Sequence, residues 1–166
     1  MKLSRLIANV ESNDNQWALR FEPGTYMSAG SNDKAAQIFA SIIEVHACSR
    51  TTAQMIYSTS WGKYQLMGFN LYGPMKLTTL PVGQFLAFPK YQDSAFLKFL
   101  VTRKYDDLEV PLGDDDWMEV FARWYNGPAN VAGYVKRVRE VASRLTARDA
   151  IPSANSQTAV PQNSST

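Results

Sequence analysis

The chain contains very few of the residues on which disulfide and metal chemistry depend. Among its 166 residues there is one cysteine, Cys48, and one histidine, His46. A single cysteine excludes an internal disulfide, and the two residues together cannot form the Cys/His clusters that hold structural zinc. No partner for nucleophilic catalysis accompanies either residue, so we interpret both as packing residues and expect no metal site.

Long apolar runs and a strong net charge are also absent. No segment approaches the ~18 apolar residues of a membrane helix. The net charge of +2 is too small for a dedicated nucleic-acid binder. The first residues have a basic start, but their apolar stretch is too short for the core of a signal peptide. We therefore expect no membrane insertion, no nucleic-acid partner and synthesis in a cytoplasm.

Length and composition predict one domain followed by a tail. With 45% hydrophobic residues, the chain is long enough for one core and short for two. Beyond Ile151 the sequence is rich in Ser, Asn, Gln and Pro and has no apolar periodicity. We predict a domain over residues 1–150 and a flexible C-terminal tail over residues 151–166.

Helical periodicity dominates the predicted domain, which makes its fold mainly α (α+β). Leu3, Leu6, Ile7 and Val10 share one face of a helix that ends near Glu11. Further helices are predicted from Asn32 or Asp33 to about 48, from Thr51 or Thr52 to Tyr57, on both sides of Pro89, from Asp114–Asp116, and over about 130–148. We interpret the basic residues of the last helix as a solvated face.

One segment near the N-terminus favours β structure. Trp17, Leu19 and Phe21 alternate with other residues and are followed by Pro-Gly. This pattern predicts a small hairpin or irregular lobe, and we expect no further β structure.

Glu11 is the first candidate for chemistry. A carboxyl at the end of an apolar helix, beside breaker residues, can lie half-buried at the wall of a cleft. Burial would raise its pKa toward the range that a general acid needs. The alternative is an ordinary surface glutamate at a helix end.

Two later strings combine aromatic rings with amides. In SWGKYQLMGFN, residues 60–70, Gly62 allows close approach of a ligand, Gln65 can hydrogen-bond an amide-bearing sugar, and the rings of Trp61 and Tyr64 can face pyranose rings. RWYNGP, residues 123–128, again places a phenol and an amide at a helix end. Each string alone is more often structural.

The three strings in this order resemble the phage and bacterial N-acetylmuramidase domain of the lysozyme superfamily. The matching stretches are Glu11-Ser12, 60–69 and 121–128, and LRFEPGTYM around Glu22 resembles the segment that follows the catalytic glutamate. Goose-type lysozymes and soluble lytic transglycosylases are more distant relatives. The resemblance covers about residues 3–140, and it implies a lysozyme-like fold with a helical lobe and a small irregular or β lobe flanking a glycan groove.

The resemblance also implies an activity and a set of site residues. It implies cleavage of the β-1,4 bond between N-acetylmuramic acid and N-acetylglucosamine in peptidoglycan, with Glu11 as general acid, Ser12 as its motif companion and no cofactor. The implied substrate-binding residues are Ser60, Trp61, Tyr64, Gln65, Tyr125 and Asn126. Two departures from the relatives, Lys63-Tyr64 in place of Leu-Met and Gly127 directly after Asn126, leave the subsites unassigned.

The second half of the reaction is open at this point. A two-carboxylate glycosidase needs a second acid near the first. Of the nearby acids Glu22, Asp14 and Asp33, we choose Glu22. If no acid is close enough, attack by the sugar's own hydroxyl would give a 1,6-anhydro product, as in lytic transglycosylases. A non-catalytic glycan-binding virion component is a further alternative.

Delivery to the wall is also open. Because we expect no signal peptide, an enzyme made in the host cytoplasm would reach the cell wall in the periplasm with the help of a holin, or inside a phage particle. The expected partner in either case is the glycan strand of peptidoglycan.

Overall fold

The computed structural model describes residues 1–102 and 104–150, so the tail predicted for residues 151–166 lies outside the described residues. The described helices are α1 (Leu3–Ser12), α2 (Pro23–Ala29), α3 (Asp33–His46), α4 (Arg50–Tyr57), α5 (Gly68–Tyr72), α6 (Val82–Ala87), α7 (Pro89–Val101), α8 (Asp115–Tyr125) and α9 (Val131–Asp149). A single 3-10 turn, Pro128–Asn130, joins the last two of these helices. The prediction of a mainly α fold with a small β element is confirmed.

Local capping explains where several helices begin. The side chain of Asn32 accepts a hydrogen bond from the Lys34 amide at 2.9 Å and caps α3, as predicted. Asp114 likewise caps α8. Helix α4 differs from the prediction, because Ser49 and not Thr51 or Thr52 supplies its cap. Ser49 fits this position because its backbone is extended and its hydroxyl accepts a hydrogen bond from the free amide of Thr52 at 3.2 Å.

The β structure is a three-stranded antiparallel sheet made of β1 (Leu19–Phe21), β2 (Thr59–Trp61) and β3 (Leu66–Met67), in the order β1-β2-β3. The prediction that β structure stops after the first segment is wrong. Strand β1 pairs with the distant β2 and not with a neighbouring hairpin strand, and residues after Glu22 form α2. Pro23 at the first helical position favours that helix, because its fixed φ suits the first turn and its missing amide is not needed there.

Helix α1 is anchored by its apolar face and ends sharply. Leu6 and Ile7 are fully buried, and the helix packs against α9 and α7. Asn13 takes a left-handed conformation with φ of 56°, and its amide donates to the carbonyl of Asn9 at 3.0 Å. Glu11 is therefore held in the last turn of a well-buried helix.

A buried amide on α7 connects the segments around the β2–β3 turn. Gln92 is 1% exposed, and its Oε1 accepts from the Lys63 amide at 2.8 Å. Its Nε2 donates to the carbonyls of Gln16 at 3.1 Å and Leu86 at 3.2 Å. A Cβ added at Gly62 would lie 2.3 Å from this Oε1, so the turn approaches Gln92 as closely as glycine permits.

We expect Gln92→Leu to lower the free energy of unfolding by about 2–4 kcal/mol, because it leaves buried amide and carbonyl groups without partners. Urea unfolding followed by far-ultraviolet circular dichroism measures this. Ser94→Ala, on an exposed position of the same helix, is the control. Equal stability of the two variants would show that Gln92 does not hold these segments together.

Candidate active site

The carboxyl group of Glu11 lies at the junction of α1 and α9. Its Oε1 accepts a hydrogen bond from the hydroxyl of Tyr134 at 2.7 Å. Tyr134 is 1% exposed, so this hydroxyl is shielded from water. Glu11 itself is half-buried. The fold therefore holds the Oε1 of Glu11 in a hydrogen bond with the buried hydroxyl of Tyr134.

Burial raises the pKa of the Glu11 carboxyl above its ordinary value of 4.5. The hydrogen bond from Tyr134 and the positive charges of Arg137 and Arg20 lower this pKa, because they favour the carboxylate, but burial outweighs them. A carboxyl in this position keeps its proton at a higher pH than one on the surface. Such a group can act as a general acid.

Glu11 faces an open cleft of about 920 Å³ between the end of α1 and the outer face of α9. Its walls include Asn13 from the end of α1 and Arg137, Glu140 and Arg144 from α9. The cleft therefore combines a half-buried acid with charged groups of both signs.

Ser12 joins the end of α1 to the turn between β2 and β3. Its hydroxyl donates to the carbonyl of Lys63 at 2.9 Å and accepts from the amide of Asn15 at 3.0 Å. The turn itself contains two left-handed residues, Gly62 with φ of 74° and Gln65 with φ of 49°. The sequence pair Glu11-Ser12 thus has a divided role, in which the serine fixes the turn and the glutamate faces the cleft.

Tyr125 joins the same turn from the end of α8. Its hydroxyl donates to the carbonyl of Tyr64 at 2.7 Å, and its ring stacks on Phe121 with centroids 5.5 Å apart. Burial, followed by the negative charge of Glu11, raises the pKa of Tyr125 well above its ordinary value. The next residue, Asn126, is exposed at the end of the helix. The Tyr125 hydroxyl is therefore engaged by the backbone, as a packing role would require.

Two of the residues expected to bind substrate lie inside the wall of the site. Tyr64 is 3% exposed, stacks on Phe96 with centroids 4.0 Å apart and donates to Asp93 at 2.6 Å. Ser60 is 1% exposed and donates to the sulfur of Met67. The prediction that Tyr64 and Ser60 contact the sugar directly does not fit the structure. Both side chains are buried, because their neighbours cover the surfaces that a sugar would need.

Trp61 and Gln65 keep part of their surface open. Trp61 is half-buried, and its indole N–H donates to the carbonyl of Ile56 at 3.1 Å. Gln65 is also half-buried, with its Nε2 donating to the carbonyl of Gly62 at 2.9 Å. Both side chains are oriented by a backbone carbonyl, which leaves the indole face and the amide oxygen for other contacts.

Glu22 follows β1 and is linked to the surroundings of Glu11 through an arginine. The Arg20 Nε donates to the Glu22 Oε1 at 2.5 Å, and the charge of Arg20 also acts on Glu11. Asp14 lies 3.8 Å from the ammonium group of Lys63. Asp33 begins α3, which packs on α4 and α5. Of these three acids, Glu22 shares an arginine with Glu11.

The sequence analysis missed Tyr134 and Arg137. A signal for the tyrosine was present, because Tyr134, Val138, Val141 and Leu145 follow helical spacing and are all buried. Tyr134 carries the one hydroxyl in that row, so it needed a polar partner inside the protein.

Comparison with known proteins identifies the group to which the chain belongs. The N-acetylmuramidase family matches residues 8–146, a range that contains all of the site residues above. The chain belongs to this family. The endolysin of Enterobacteria phage PRD1 is 39% identical over an alignment of 137 residues, and the match covers 78% of this chain and 89% of the phage protein. No solved structure matches the chain significantly.

Family membership establishes the type of enzyme. The chain is a peptidoglycan-degrading muramidase, a glycoside hydrolase of the lysozyme type, and that prediction is confirmed. The lytic transglycosylase alternative is not favoured. The substrate is peptidoglycan, and the muramidase acts on the cell wall.

The single histidine of the muramidase packs against a tyrosine. His46 Nε2 lies 3.0 Å from the Tyr72 hydroxyl, and their rings meet edge to face. Over the ranges 1–102 and 104–150, the structure contains no cluster of His, Cys, Asp or Glu arranged to hold a metal ion. In the same ranges, none of the helices has the length and apolar character needed to cross a membrane.

We expect the stability advantage of Glu11→Gln over wild type to grow with pH. Burial raises the Glu11 pKa, so the contribution of this carboxyl to wild-type stability is fully present below pH 4.5 and is lost as pH rises through the raised pKa. The amide of the variant does not ionise and loses nothing over this range. Thermal unfolding of both proteins across this range measures the difference. Glu44→Gln, on an exposed position of α3, gives the background. A difference that is constant with pH would contradict burial as the dominant influence on Glu11.

Proposed function

We propose that the domain cleaves the β-1,4 bond between N-acetylmuramic acid and N-acetylglucosamine, with Glu11 protonating the leaving oxygen. The observation that carries this proposal is the half-buried Glu11 carboxyl, held on the Tyr134 hydroxyl at 2.7 Å beside an open cleft. Glycoside cleavage needs an acid that keeps its proton near neutral pH until the bond breaks. Burial raises the Glu11 pKa in the direction that this role requires, and the proposed reaction uses no cofactor.

Glu22 is the proposed second carboxylate. It forms an ion pair with Arg20, and a nucleophile or general base is the role that a second carboxylate has in glycoside cleavage. The positive charge of Arg20 also acts on Glu11, so one arginine influences both proposed catalytic acids. Asp14 and Glu140 are the competing carboxylates, Asp14 because it follows the end of α1 and Glu140 because it lines the same cleft.

Sugar binding is divided between open and buried residues. Trp61, Gln65 and Asn126 retain exposed surface, and we assign them to contact with the glycan. Tyr125 and Tyr64 act behind this surface, since the hydroxyl of Tyr125 bonds the Tyr64 carbonyl and holds the β2–β3 turn in place.

The biological role that fits this activity is host-cell lysis by a phage endolysin. The support is the similarity to the PRD1 endolysin, which extends over 89% of that protein. Release through a holin and carriage in a phage particle are the two routes to the wall that the proposal allows.

Glu11→Gln should reduce cleavage of purified peptidoglycan at least about 1000-fold, because the amide cannot donate the proton. Glu22→Gln should give a loss of about 100-fold or more, and Asp14→Asn and Glu140→Gln serve as controls with little effect. Mass spectrometry of the products identifies the reaction. New reducing ends show hydrolysis, and 1,6-anhydro products show transglycosylation.

Full activity of folded Glu11→Gln would refute the assignment of the acid. Glycan binding without any cleavage by the wild type would instead indicate a non-catalytic binding protein. A larger loss in Glu140→Gln than in Glu22→Gln would move the second carboxylate to α9.

Tyr134→Phe should shift the alkaline side of the pH–rate profile to higher pH. The hydrogen bond from Tyr134 lowers the Glu11 pKa. Its removal therefore raises that pKa further and keeps the acid protonated up to a higher pH. The maximal rate should fall up to about 100-fold because the carboxyl loses its fixed orientation. Tyr57→Phe, which removes a hydroxyl from a ring packed against Phe39 and Phe69, is the control. An unshifted profile in Tyr134→Phe would show that Tyr134 is a packing residue only.

A further inference from the structure

The cleft beside Glu11 continues as a groove between α1 and α9. The α9 side presents Arg137 and Arg144, seven residues apart and therefore on one face of the helix, with Glu140 between them, and the α1 side presents Asn9 and Asn13. A second depression, which also contains Asn9 and Asn13, extends the groove toward Arg148. The groove therefore starts at the candidate acid and leads away from it along the face of α9 that carries Arg137, Arg144 and Arg148.

The two arginines in this groove differ from the paired arginines of the domain. Arg5, Arg20 and Arg139 form ion pairs with Asp149, Glu22 and Asp115. Within residues 1–102 and 104–150, no carboxylate lies within 4.0 Å of Arg137 or Arg144. The Arg137 guanidinium lies 5.1 Å from the centroid of the Tyr134 ring, and the hydroxyl of that ring bonds Glu11.

An arginine guanidinium presents a planar set of donors that matches a carboxylate. The substrate of a muramidase has carboxylates in a defined place, because the peptide of peptidoglycan is attached to N-acetylmuramic acid and not to N-acetylglucosamine. A peptide next to the cleaved bond must leave the glycan strand close to the catalytic acid. The basic groove begins at that point.

We propose that the groove between α1 and α9 binds the acidic peptide of the muramic acid residue at the cleavage site, with Arg144 binding a peptide carboxylate and Arg137 supporting it. The inference rests on the proposed function of Glu11. It makes the enzyme selective for glycan that bears peptides over naked glycan. A solvated helix face is the alternative explanation for the two exposed arginines, and it predicts that their replacement affects peptide-bearing and naked glycan equally.

The test compares two soluble substrates, uncrosslinked glycan strands with intact peptides and the same strands after an amidase has removed the peptides, which leaves only the lactyl carboxylate on each muramic acid. Wild type should have the higher kcat/KM on the peptide-bearing strands. Arg144→Gln should lower the ratio of the two kcat/KM values about 10-fold, mainly through KM on the peptide-bearing strands. Arg144→Lys should lie between the two, because lysine keeps the charge but loses the planar fork.

Lys136→Gln is the matched control, since it removes one positive charge from the same helix at a side chain that is 79% exposed and outside the cleft. Its ratio should equal that of wild type. Equal losses of Arg144→Gln on both substrates, or no loss on either, would overturn the proposal. Failure of wild type to cleave either substrate would instead overturn the proposed function, so the two failures are distinguishable.

Discussion

The active site depends on the burial of one carboxyl group, that of Glu11, where the first described helix packs against the last. Glu11 occupies the final turn of α1, and the apolar face of that helix holds it against α9. A half-buried carboxyl needs a hydrogen-bond donor, which Tyr134 supplies. The same burial that raises its pKa also makes the ionised form costly, so the property that suits an acid catalyst reduces stability at neutral pH.

A second constraint is the turn between β2 and β3, whose backbone is held by side chains from three helices. Ser12 of α1 and Tyr125 of α8 donate to its carbonyls, and Gln92 of α7 accepts from its amide. The ring of Tyr64 in the turn is itself buried against Phe96. Most of the side chains around this turn support the wall of the site from behind, and few side chains form the surface that is open to a sugar.

The charges around the cleft follow the same organisation. Arg20 on β1 forms an ion pair with Glu22, and its positive charge also acts on Glu11. Arg137 on α9 acts on Glu11 in the same way. Positive charge on both sides of the acid moderates the effect of burial without reversing it. The acid therefore sits where an anionic substrate would be attracted, which is consistent with a wall polymer whose peptides carry carboxylates.

Local signals in the sequence were sufficient for much of this description. Apolar spacing in α1, the Asn32 and Asp114 caps, and the order of the three short motifs predicted the helical fold, the muramidase family and Glu11 as the residue to examine. The pairing of β1 with β2 and the bond from Tyr134 to Glu11, which spans 123 residues, came from packing of distant segments. Periodicity shows which face of an element is buried but not what covers it. For that reason the burial of Tyr64 and the partner of Tyr134 became visible once the helices and the sheet were assembled in three dimensions.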